Sequence, residues 1–151
     1  MQGPIRALAI AAALVMINGC DQANPTLERR VSKQCALDVI NGSQELIVQA
    51  KPQVVDFRGW AVDSESKTVP DRVNVVLTNK HGRAYVFPHA TRNPRPDVVK
   101  AFKRDSYLQS GYRVLADVSS LPDDTYLISL QMPTEKSIIT CSTRKTLLIK
   151  K

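Results

Sequence analysis

Aromatic residues are scarce in this chain of 151, at 5%, with a single tryptophan, Trp60. Only two histidines occur, His81 and His89, and neither has cysteine or carboxylate partners at metal-ligand spacing. Neither has a nucleophile in an obvious elbow, so both read as exposed loop residues. The three cysteines include no CxxC pair, which argues against a redox or zinc motif. No apolar run reaches the roughly 20 residues that a membrane-spanning helix needs. Internal repeats and low-complexity blocks are missing too. These shortages predict no metal, no cofactor and no enzymatic activity.

What is present begins at the N-terminus. One positive charge, Arg6, precedes an eleven-residue apolar run at 7–17. A charged start, a short apolar core and small residues describe an export signal that is later removed. The run ends in Ile17-Asn18-Gly19-Cys20. This ending resembles a bacterial lipobox. The resemblance implies a diacylglycerol group on the Cys20 sulfur, cleavage just before Cys20, and a further acyl chain of the palmitate class on its new amine. Each buried methylene contributes about 0.8 kcal/mol, so two or three chains make release negligible where one would not. Asp21 and Gln22 follow, and an Asp at this place is similar to an inner-membrane retention signal. The domain reading is therefore a signal peptide at 1–19, a lipidated tether at 20–33 and a folded domain at 34–151. Within the tether, Arg29, Arg30 and Lys33 could brush anionic headgroups. The expected location is the periplasmic side of a bacterial membrane, the inner one favoured.

With Cys20 lipidated, Cys35 and Cys141 remain as an even pair in an oxidising compartment, which predicts a disulfide. Between them lie short runs separated by turns. Cys35–Ile40, 46–50, 54–62, 73–78, 83–89, 111–118, 125–132 and 138–149 read as strands, the last either continuous or interrupted. Asn41-Gly42 predicts a hairpin turn, and "NKHG" at 79–82 predicts another. "RPDVVKAFKRD" at 95–105 spaces Val98, Val99 and Phe102 for one short helix, with Pro96 at its start. Seven or eight strands at this spacing predict an all-β sandwich, with Trp60 in its core.

"LPDDTY" at 121–126 precedes an alternating strand and resembles the tyrosine corner of immunoglobulin-like and fibronectin-III-like sandwiches, with Tyr126 in the structural role. "GWAVD", "RPDV", "GYRVLADVSSLP" and "TYLISL" occur in that order over 59–130. This set resembles an immunoglobulin-like accessory domain of bacterial envelope proteins. The resemblance implies architecture rather than activity.

Other patterns carry less. Ser64-Glu65-Ser66-Lys67 and Ser142-Thr143-Arg144-Lys145 both match S-x-x-K, but neither sits on a predicted helix as that acylation chemistry requires. Asp117, Asp123 and Asp124 offer too few oxygens for calcium. The net charge of +7 raises an acidic partner. Arg92, Arg95, Lys100, Lys103 and Arg104 cluster around the predicted helix as candidate anion-binding residues. Export removes nucleic acid as a partner. The expected function is non-enzymatic: a membrane-anchored sandwich that binds an envelope protein or an anionic glycan or lipid polymer. An inhibitor or exclusion lipoprotein acting against an incoming hydrolase or phage is the alternative.

Overall fold

A computed structural model describes residues 26–151. Cys20, Asp21, Gln22 and the signal read at 1–19 lie outside the described residues. The strands are β1 (Glu28–Ser32), β2 (Cys35–Ile40), β3 (Ile47–Ala50), β4 (Val54–Ala61), β5 (Asn74–Asn79), β6 (Ala84–Phe87), β7 (Thr91–Asn93), β8 (Gly111–Asp117), β9 (Asp124–Pro133) and β10 (Ser137–Ile149). One helix, α1 (Pro96–Phe102), and a 3-10 turn (Asp105–Ser110) lie between β7 and β8. The first sheet runs β1-β10-β9-β5-β6, with β3 also on β10, and the second runs β2-β4-β8-β7. This is an all-β sandwich. Among the described residues it has ten strands rather than seven or eight, because β1 and β7 carry no sequence signal.

Side-chain alternation builds the layers. Tyr126, Ile128, Leu130 and Met132 of β9 point inward, as do Val55 and Phe57 of β4 and Tyr112, Val114 and Ala116 of β8. These faces meet in one core with Leu77, Ile139 and Leu147. Cys35 and Cys141 sit at disulfide distance with Cα atoms 6.4 Å apart, joining β2 of the second sheet to β10 of the first. The Tyr126 hydroxyl donates to the Pro122 carbonyl at 2.8 Å and fixes the approach to β9.

Four details depart from the sequence reading. Residues 28–32, read as part of a tether, form β1, which runs parallel to the start of β10. Asn41 and Gly42 do take the positive φ values of a tight turn, 49° and 79°. The strands on either side nevertheless part: β2 joins β4, and β3 crosses to β10. Trp60 is not in the sandwich core. It lies on the outer face of β4, edge-on to Phe102 at 5.6 Å, in a small cluster with Val62, Val98 and Tyr107. That cluster seats α1 and the 3-10 turn on the second sheet. The helix is shorter than predicted, ending at Lys103 in a left-handed conformation (φ 50°).

Candidate functional site

The outer face of the second sheet holds the most organised charge. Arg58 of β4 stands directly opposite Arg113 of β8. Like charges in that position repel. Asp56, two residues along β4, resolves the conflict. It accepts from Arg58 Nε and Nη2 at 2.9 and 2.6 Å, and from Arg113 Nε and Nη2 at 3.0 Å each. The Arg58 hydrogen bonds, joined by those of Arg113, outweigh burial and hold the Asp56 carboxyl below its ordinary range. A carboxyl depressed on folding adds stability that is fully present above its ordinary value of 3.8. That stability is lost as pH falls through the depressed folded value. Asp56→Asn should therefore remove part of the acid-side loss of stability below pH 3.8, read from denaturant midpoints at stepped pH. An unchanged acid limb would contradict the pairing.

A pocket of about 390 Å³ opens beside this pair, lined by Asp38, Val39, Arg58, Thr91, Arg95 and Arg113. Asp38 reaches it because β2 carries an extra residue there: Leu37 pairs with Gly59, but Val39 already pairs with Arg58. Arg95 is clamped, with Nη1 at 2.7 Å from Asp38 and Nε and Nη2 at 2.8 and 2.6 Å from Asp97. The Arg95 guanidinium in turn pulls the Asp97 carboxyl down to about 2.

The five predicted cations do not converge. Arg95 is neutralised as described. Arg92 is half-buried, donates through Nη2 to the Pro70 carbonyl, and has its pKa lowered by burial. Arg104 stacks over Tyr107 at 5.6 Å. Lys100 and Lys103 are exposed at the helix. Arg58 and Arg113 were missed, because β4 and β8 come together only in the fold. Their outward positions, alternating with buried Phe57 and Val114, were the available signal.

The remaining candidates have local tasks. The S-x-x-K stretch at 64–67 is an exposed turn, whereas Lys145 is buried and donates to the Gln44 and Glu45 carbonyls at 2.5 and 2.8 Å. Asp117, Asp123 and Asp124 each accept from a nearby or terminal backbone amide. His81 and His89 are exposed. Among the described residues no group of three or more side chains could hold a metal ion. No helix among them is long and apolar enough to cross a membrane.

No family model matches the chain, and no curated protein or solved structure matches it.

Proposed function

We propose that this chain is a lipid-anchored binding module of the bacterial envelope, held at Cys20, with an immunoglobulin-like sandwich facing the periplasm. The outer face of its second sheet holds an anionic envelope polymer. The observation that carries this reading is the Arg58–Arg113 pair. Among the described residues, Asp56 engages Nε and Nη2 of each arginine and leaves each Nη1 without a hydrogen bond. Two guanidinium groups held side by side present fixed donors to phosphate or carboxylate oxygens. Lys100 and Lys103 extend the positive field, and the net charge of +7 draws anions toward it.

The test uses protein extracted from membranes, with a soluble polyanion such as dextran sulfate as the probe. Its N-terminal peptide should carry the acyl mass on Cys20. Arg58→Glu with Arg113→Glu should weaken polyanion binding by about tenfold or more and flatten its salt dependence. Equal binding by the double variant, or an unmodified Cys20 thiol, would defeat the reading.

A further inference from the structure

The two outer faces of the sandwich differ in kind. On the second sheet the outward positions hold Asp56, Arg58, Arg113 and Asp117. On the first sheet, the outward positions of β3, β9, β5 and β6, and of the regularly paired parts of β10, hold only Thr, Ser, Asn, Gln, Pro, Ala, Val, Leu and Ile. Charge enters as Arg29 on β1, and as Arg144 in the irregular stretch of β10 between Ser142 and Thr146, where β1 ends and β3 begins. Large apolar side chains stand exposed on this face. Ile47 and Leu127, 68% and 66% exposed, flank Thr146 from either side. Val31 and Val86 are exposed on the edge strands β1 and β6, and Val76 lies buried between Ser129 and Val86. In a chain with 23% charged residues, a sheet face this free of charge has the composition of an interface centre, where charged residues are depleted.

We infer that the outer face of the first sheet is where two copies of this chain pack, face to face, about a two-fold axis that runs along the strands. Charge favours a second copy here. Two molecules of net charge +7 repel wherever their basic surfaces meet, and across this face they approach without like charges opposed. The axis passes through β9, the middle strand of β1-β10-β9-β5-β6, so β9 packs on its own copy near Ser129. It sets β10 of each copy over β5 of the other, and β1 and β3 over β6. Arg29 and Arg144 therefore meet uncharged strands rather than each other. Sheets packed in this way lie about 10 Å apart with their strands within about 30°. Strands at about 4.8 Å spacing and about 25 Å long cover roughly 600 Å² on each copy over this five-strand path, so the pair buries about 1,200 Å², the lower bound of stable interfaces. The same axis turns both chain starts toward one end, which suits two anchors entering one membrane; only this choice of axis rests on the reading of Cys20. The Arg58–Arg113 pair stays outside on both copies.

The experiment uses the full chain extracted from membranes in detergent, followed by sedimentation equilibrium over a concentration series. The unaltered chain should sediment as two copies. Leu127→Lys should raise the dissociation constant about tenfold or more, because it places two charges beside the axis. Its fold, read by circular dichroism, should be unchanged, since Leu127 faces away from the core. Ser129→Cys should form a disulfide between copies under a mild oxidant, because residue 129 meets itself across the axis. Leu115→Cys, on the opposite sheet, should not. A single-copy mass for the unaltered chain, whether the face is bare or holds another protein, would overturn the inference. So would a dimer that Leu127→Lys leaves intact, or one that links through residue 129 no more readily than through residue 115.

Discussion

Replacing both Cys35 and Cys141 with alanine should lower the unfolding free energy by about 4–5 kcal/mol, because the unfolded chain regains the freedom of a very long loop. The two residues are 106 apart in sequence. In the folded state they join the two sheets, β2 to β10, so the link closes the sandwich rather than one hairpin. Small domains are stable by about 5–15 kcal/mol in total, so a loss of this size removes a large share of the reserve. Denaturant titration of the oxidised protein and the double variant measures it directly. A difference below about 1 kcal/mol would mean that the unfolded chain is already held compact without the link.

Gly59→Ala should be comparably severe, although glycine here takes no left-handed backbone. The reason is space. A Cβ at Gly59 would lie 2.0 Å from the Ala36 carbonyl oxygen of β2 and 2.8 Å from the Tyr112 hydroxyl. Tyr112 is fully buried and donates to that same Ala36 oxygen at 3.2 Å. One methyl group therefore pushes β2 from β4 and breaks a buried hydrogen bond. Overpacking of this kind costs about 1–3 kcal/mol and more where backbone is the obstacle. We expect about 3 kcal/mol, read as a lowered thermal midpoint. Adding Tyr112→Phe should not rescue the variant, because the nearer obstacle is the carbonyl. Recovery in that double variant would show that the phenol, not the backbone, sets the limit.

What the sequence disclosed follows from which forces are local. Alternation in β8 and β9 is written in consecutive residues, and both strands are where Tyr112, Val114, Tyr126 and Ile128 put them. Pro96 marks the start of α1 for the same reason, since its ring fixes a dihedral without outside help. β1 was hidden because "ERRVS" has no apolar side; a strand lying on an edge needs only its backbone ladder. β7 is three residues long and has no period to show. Trp60 was expected in the core because a lone tryptophan in a sandwich usually lies there. Its position on β4, out of phase with Phe57 and Val55, puts it on the opposite face, under α1. The five cations were grouped by closeness in the chain. The partner that removes Arg95 from that group, Asp38, is 57 residues away and swings outward through an added residue in β2. Arg58 and Arg113, separated by a similar length of chain, form the exposed pair instead.

β10 pairs with β9 along one side and, along the other, first with β1 and then with β3. β1 and β3, made early, and β9, made just before, thus wait for the last of the described strands. Until it arrives, β9 has an open side and the N-terminal pieces have nowhere to dock. The order of manufacture therefore opposes the order of assembly: this sandwich stays unfinished until synthesis has passed residue 149.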